Sequence, residues 1–341
     1  MGVAYNSRII TENLVLCLDA ANPKSYPTKN FVSSKIYSSF GSSIRSSNYT
    51  VQYSDDNSNW TTAFTGVASN NTSCGIQQNT GSGSGSYGLH RYWRYVEGSP
   101  IQSHHPRVSR IILTDINGID YNLVVYTSDN CSDTGTYQVG TVSLDFGGTT
   151  WTDLSTNGNT GELLNGVGYS SSNRGALTFD GSNQKVTKSS ATINFSGGSM
   201  EVWAYFNNFN GNQGVFSMST PPTYINFYIP TSRLMRWEVI GNAGSAYSTI
   251  SSTYVIEPST WYHFVGTFGE GNTTKLYING VLNNSQSSYT NVPSNFTSVI
   301  NLGEYAGYLN GRISNAKIYN RALSAAEISQ NYNALRGRYG I

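Results

Sequence analysis

The first apolar run of the chain ends in Leu18-Asp-Ala-Ala-Asn-Pro-Lys-Ser-Tyr-Pro-Thr-Lys-Asn30. A second stretch, Gly147-Gly-Thr-Thr-Trp-Thr-Asp-Leu-Ser-Thr-Asn-Gly-Asn-Thr-Gly161, reads as its continuation. Joined, Asn22–Pro27 and Gly147–Ser155 make one loop rich in Pro, Gly, Asn and Ser, the residues that tight turns need. The material between them has strand signals of its own. The sequence therefore predicts one domain inserted into an N-terminal loop of another: residues 1–27 plus 147–341 form the outer domain and 28–146 the insert. Such insertions are tolerated because domain termini commonly lie close together at the surface.

The outer part predicts strands. In Trp261-Tyr-His-Phe-Val-Gly-Thr-Phe268 one face carries Trp261, His263, Val265 and Thr267, the other Tyr262, Phe264 and Phe268. Apolar residues on both faces predict an inner strand. Asn279-Gly280 lies between two strand-like runs and predicts a hairpin with a type I′ turn. Further short runs bounded by Gly, Pro, Asn or Ser complete the pattern of an all-β sandwich. One short helix is predicted at the C-terminus. Ser324 and Glu327 form a capping box, Leu323 and Ile328 a hydrophobic staple, and Ile328, Tyr332 and Leu335 one apolar face. Gly337 is expected at the C′ position, before a short Arg-rich tail. In the insert, Asn48–Phe64 predicts a hairpin through Asp55-Asp56-Asn57, and Arg107–Asp129 one through Asn117-Gly118. Asn79–Gly88 predicts a Gly/Ser loop.

Composition narrows the function. The chain has 341 residues, of which 11% are charged, with 35 Gly and 25 Tyr and a net charge of +1. Nucleic-acid binding is not expected without a basic run. Membrane insertion is not expected either, because no apolar stretch approaches about 20 residues. Met1–Leu16 does not read as a signal peptide, because its apolar run is short and interrupted by Glu12 and Asn13. Cys17 reads as a small buried hydrophobe, and a Cys74–Cys131 pair is left open.

No catalytic constellation emerges. A retaining glycosidase needs two carboxylates about 5–5.5 Å apart. No acids sit at i, i+2, and the i, i+4 pair Asp129 and Asp133 falls in a turn. Glu201 and Glu238 read as structural or edge charges. His104-His105 would point to opposite faces of a strand and lacks further ligands at zinc spacing, so a loop role is expected. Asp153, Asn157 and Asn159 place oxygen atoms close enough to hold calcium, although the same residues suit a tight turn. Trp60, Tyr92, Trp93 and Tyr95 could stack on sugars or fill the insert's core.

The outer part resembles the concanavalin A-like, laminin-G-like jelly roll of bacteriophage structural proteins. The stretches that carry it are 14–27, 149–166, 176–183, 261–268, 276–282 and 309–328, above all the final Gly-Arg-Ile-x-x-Ala-Lys-Ile-Tyr-Asn-Arg-Ala-Leu-Ser-x-x-Glu-Ile (311–328). Residues 331–341 look like the ending of marine phage versions. Cys17 departs from it, standing where an aromatic is more usual. The insert resembles a discoidin-type sandwich through Tyr49–Thr62 and His90–Val96. The resemblance implies a lectin-like, non-enzymatic virion protein: a capsid decoration, fibre or tail-associated adhesin, oligomeric or present in many copies. It would be assembled in the bacterial cytoplasm and exposed on the particle. Other virion proteins and host surface glycans would be its partners, met through Trp60, His104, His105 and Arg107 in the insert. A tail-associated glycan hydrolase and a ligand-free cement protein are the alternatives.

Overall fold

A computed structural model describes residues 9–22, 24, 26, 31–38, 45–55, 57–70, 77–82, 90, 92–100, 108–115, 120–124, 141–145, 149–241, 247–287 and 295–341. The chain divides into two compact units, Met1–Tyr26 with Thr149–Ile341, and Pro27–Gly148.

The larger unit contains two eight-stranded antiparallel sheets. In the first, strands run in the order Gly168–Ser170, Ala176–Asp180, Asn310–Tyr319, Gly198–Phe206, Trp261–Phe268, Thr274–Ile278 and Val281–Gln286, and Leu14–Asp19 also pairs with Asn310–Tyr319. In the second the order is Thr150–Trp151, Gly161–Leu164, Lys185–Asn194, Asn295–Leu302, Gln213–Thr220, Thr223–Ile229, Arg236–Ile240 and Tyr247–Ser251. One continuous apolar cluster includes residues of both sheets, such as Phe264 and Phe268 from the first and Phe227 and Trp237 from the second. Among the described residues this is a nearly all-β sandwich with a single short C-terminal helix, and the alternating strand patterns predict the sandwich.

The strand Trp261–Phe268 is buried along its whole length, on both faces. Tyr262, Phe264 and Phe268 enter the inter-sheet core, whereas Trp261 and Val265 pack on the opposite side. The hairpin through Asn279 and Gly280 is present with φ of 52° and 79°, the left-handed pair a type I′ turn requires.

The opposite face of the first sheet is closed by the helix Ala325–Leu335. Its capping box uses Ser324 and Glu327 in both directions, and Leu323 and Ile328 are buried in one cluster. Gly337 does not act as a left-handed C-cap. The helix runs through Arg336, in right-handed geometry, into a 3-10 turn over Arg336–Arg338, and the positive φ of 73° falls at Gly340. Nor is the tail loose. Arg338 donates to the Asn173 and Gly175 carbonyls at 2.7 and 2.8 Å and pairs with Asp19 at 2.8 Å.

Beneath this helix lies a buried ionic cluster. Glu201 and Lys317 are fully buried and 2.7 Å apart. Asn331 on the helix donates to the other Glu201 oxygen at 2.7 Å, and His263 Nε2 lies 3.1 Å away from the carboxylate. Burial alone would raise the Glu201 carboxyl, but the Lys317 ammonium and the adjacent His263 ring outweigh it and hold it at about 2. Burial lowers the His263 pKa and keeps the ring neutral. Glu201 is thus no edge charge: it is the anchor to which the helix docks.

The smaller unit contains two four-stranded antiparallel sheets, in the orders Gln77–Ser82, Phe31–Ser38, Val108–Asp115, Asp120–Val124 and Thr61–Asn70, Arg45–Ser54, Tyr92–Pro100, Thr141–Asp145. Phe31 of one sheet meets Trp93 of the other edge-on at 4.9 Å, and the Ser34 hydroxyl lies 3.1 Å from that of Tyr49. Asn79–Ser82, expected in a loop, lie in an edge strand paired with Phe31–Ser38. Gln77–Ser82 has no apolar side chain in its sequence, which suits an edge strand. Strands Val108–Asp115 and Asp120–Val124 pair as the predicted hairpin requires; its Asn117-Gly118 turn lies outside the described residues. Among the described residues no helix is long and apolar enough to cross a membrane.

Candidate functional site

The second sheet of the larger unit turns one face to the core and the other outward. Alternation fixes which side chains go where. Ile225, Phe227 and Ile229 point into the core, leaving Tyr224, Asn226 and Tyr228 on the outer face; Trp237 and Val239 point in, leaving Arg236 and Glu238 out. Strand register then builds a polar row. Asn301 pairs with Ser217, Ser217 with Asn226, Asn226 with Glu238, and Glu238 with Thr249. Five neighbouring strands thus contribute one polar residue each.

The loop after strand Asn295–Leu302 folds back over this row. It lies so close that a β-carbon at Gly214 would fall 1.9 Å from the Tyr305 nitrogen, so only glycine admits it. Tyr305 donates to Glu238 Oε2 at 2.8 Å, and its ring sits 5.4 Å from Tyr228 and 6.4 Å from Tyr224. Burial, and then the Glu238 carboxylate accepting its proton, hold the Tyr305 phenol well above its ordinary pKa. Asn226 donates to Glu238 at 3.3 Å and Asn301 to Glu304 at 2.8 Å. Arg236 reaches the Tyr228 hydroxyl at 3.1 Å.

Three buried polar atoms on this face have no hydrogen-bond partner: Asn226 Oδ1, Asn301 Oδ1 and Arg236 Nε. All three lie beneath the surface of the face rather than open on it. Two acceptors and one donor lie among three half-exposed tyrosine rings. The half-exposed phenol rings suit the C–H faces of a sugar.

The residues singled out in the sequence fare differently. Trp60 is half-buried in the smaller unit, with the Arg94 guanidinium 4.0 Å over its ring. His104, His105 and Arg107 lie outside the described residues, as do Cys74, Cys131, Asp129 and Asp133. Trp93 and Tyr95 are core residues, whereas Tyr92 and Arg94 are half-exposed. Cys17 is buried and unpaired, and burial pushes its thiol to about 11.

Of the two readings of Asp153, Asn157 and Asn159, the described hydrogen bonds are those of a turn. Asp153 Oδ1 accepts from the Cys17 and Ser155 amides at 2.9 and 2.8 Å, and Oδ2 from the Ser155 hydroxyl and the Asn159 amide at 2.7 and 2.8 Å. Asn157 and Asn159 turn their amide NH2 groups, not their oxygens, to the Leu14 and Val15 carbonyls. Every carboxylate position a cation would need is taken by a donor. The stretch is a turn that pins the first strand in place.

The row across the second sheet was missed because each of its members looks ordinary alone. Residues Asn301 and Ser217 become neighbours only through register. The signal that was available is the alternation in Tyr224-Ile-Asn-Phe-Tyr-Ile229, which puts two tyrosines and an amide on one face.

Residues 180–329 match the family model described as the concanavalin A-like lectin/glucanases superfamily. No curated protein sequence matches the chain. Among solved structures, a botulinum neurotoxin serotype G binding domain is 18% identical, over 53% of this chain and 47% of that one, with a TM-score of 0.45. Domain 4 of AbnA, an extracellular arabinanase from Geobacillus stearothermophilus solved with arabinotriose, is 16% identical over 53% and 92%, with a TM-score of 0.46. The binding domain of Paraclostridial Mosquitocidal Protein 1 is 17% identical over 54% and 49%, with a TM-score of 0.47. The matched part of the chain thus spans about half the length of the two toxin chains. Two face-to-face antiparallel sheets, a short C-terminal helix and the match over 180–329 give the larger unit a concanavalin A-like fold.

Proposed function

We propose that the larger unit binds glycans on the outer face of its second sheet, and that the protein serves as a non-enzymatic attachment or decoration protein of a virion. The observation that carries the binding reading is the trio of half-exposed tyrosine rings, Tyr224, Tyr228 and Tyr305, gathered over the polar row of the second sheet. The matched family's description, which speaks of lectins and glucanases, supports a saccharide as the ligand class. The virion setting rests on the resemblance of the motifs in 309–328 to phage structural proteins. The smaller unit, read as a discoidin-like sandwich, would present Trp60 and the His104–Arg107 segment to a second partner.

A glycan array tests this. We expect hits that are lost in Tyr228→Ala and retained when Trp60, His104, His105 and Arg107 are all replaced by Ala. Hits lost only in the quadruple variant would move recognition to the smaller unit. New reducing ends appearing steadily in a host polysaccharide would replace the binding reading with hydrolysis.

A further inference from the structure

At another edge of the larger unit a second concavity is built from amides. Three connections meet there: the one after strand Ala176–Asp180, the one between Gly198–Phe206 and Gln213–Thr220, and the one between Asn295–Leu302 and Asn310–Tyr319. They enclose a cleft of roughly 290 Å³ lined by Asn208, Asn210, Asn212, Gln213, Tyr308, Asn310 and three glycines, with no charged side chain. That volume lies at the lower bound of ligand pockets, about 300–1,000 Å³, and suits one ring rather than a chain.

The walls are fixed and the inward groups are left open. Gln213 is buried and clamps two connections, donating to the Asn208 carbonyl at 2.6 Å and accepting from the Asn310 amide at 2.9 Å. Asn310 Oδ1 accepts from the Asn207 side chain at 2.8 Å. By contrast, among the described residues the Asn310 NH2, the side-chain amides of Asn210 and Asn212, and the Tyr308 hydroxyl have no hydrogen-bond partner. A side-chain amide both donates and accepts, as a sugar hydroxyl does. A site of amides, glycine backbone and one phenol without a charge has nothing to offset the desolvation of a carboxylate, sulfate or ammonium. It selects neutral, hydroxyl-rich ligands.

The cleft shares a turn with the tyrosine face. Tyr305 reaches over Glu238, three residues before Tyr308 lines the cleft, and Glu304 bridges Tyr308 across the turn between them. The Gly307 carbonyl accepts from both Tyr305 and Gly214 at 3.1 and 3.0 Å, which ties the turn to the sheet.

We infer that this cleft is a separate subsite for one neutral sugar residue, beside the face assigned above. The inference extends the glycan-binding reading to a second place and names its ligand class. It is tested on the full chain by calorimetry with neutral gluco-, galacto- and manno-tetraoses, and with sialyllactose and a sulfated disaccharide as charged probes. Asn210→Ala/Asn212→Ala alters two exposed side chains and Tyr308→Ala is the second variant. Unchanged melting temperatures establish folding. We expect a neutral tetraose to bind and each variant to weaken it about tenfold, the effect of losing one to two hydrogen bonds, while binding of the charged probes is untouched. Neutral-sugar affinity unchanged in both variants, or lost equally for the charged probes, overturns the subsite. If Tyr228→Ala alone abolishes binding, the face stands and the cleft falls. If only the cleft variants lose binding, the cleft stands and the face falls. If no tetraose binds at millimolar concentration, the subsite is rejected.

Discussion

Glu201 and Lys317 show what one residue pair can decide. They are 116 positions apart and meet fully buried. Each is costly there alone and tolerable only with the other. Glu201→Gln or Lys317→Met is therefore expected to cost about 3–5 kcal/mol, because a buried charge is left uncompensated. The double variant is expected to recover most of that loss. Guanidinium unfolding of the four proteins measures both, and strictly additive losses would mean that the two side chains do not depend on each other. Asp153 makes the complementary point. Its carboxylate is filled by four donors from the chain itself, which turns a stretch with the composition of a cation loop into a structural pin.

Elements differ in how far the sequence reveals them. The Asn279-Gly280 turn and the Ser324–Glu327 box were legible because their partners are two to five residues away and their chemistry is local. The staple of Leu323 and Ile328 was legible for the same reason. The C-terminal end of the helix was not: Gly337 looks like a cap, but the 3-10 turn that follows is set by Arg338 reaching Asn173, Gly175 and Asp19, all remote in sequence. The tyrosine face and the amide cleft are likewise products of register and of loops brought together, so no window of sequence displays them. The buried cluster on which the helix docks carries a pH dependence. His263 is buried neutral with a lowered pKa, so the unfolded chain binds a proton that the folded one resists. The sign follows: stability falls as pH drops through the ordinary histidine range near 6.5, and falls again below about 4.5 as the unfolded Glu201 takes up its proton while the folded one, held at about 2, does not. His263→Gln is expected to flatten the first part of this profile, between pH about 7.5 and 5.5, and leave the second. A melting temperature in that variant that falls as steeply as in the parent would assign the proton elsewhere.

At the scale of the whole molecule the central fact is that the larger unit is made of two separate stretches of chain. Tyr26, fully buried and stacked on Tyr169 at 5.1 Å, and Trp151, also fully buried, flank the excursion. Replacing Pro27–Gly148 by a short flexible linker is expected to leave the larger unit folded, since loop length is thermodynamically cheap. Circular dichroism and a cooperative melt check it; a disordered product would mean that the two units need each other. The clasp between Arg338 and Asp19, 319 positions apart, has a further consequence, for synthesis on the ribosome. Every described strand of the smaller unit has emerged by Asp145, whereas Leu14–Asp19 waits for its partner strand at Asn310–Tyr319. Because domains fold as units during translation, the nascent chain carries a completed module inside an unfinished one. The first strand stays unmatched through most of elongation, so the hazard for this protein is an interval of time, longest when translation stalls between the two halves.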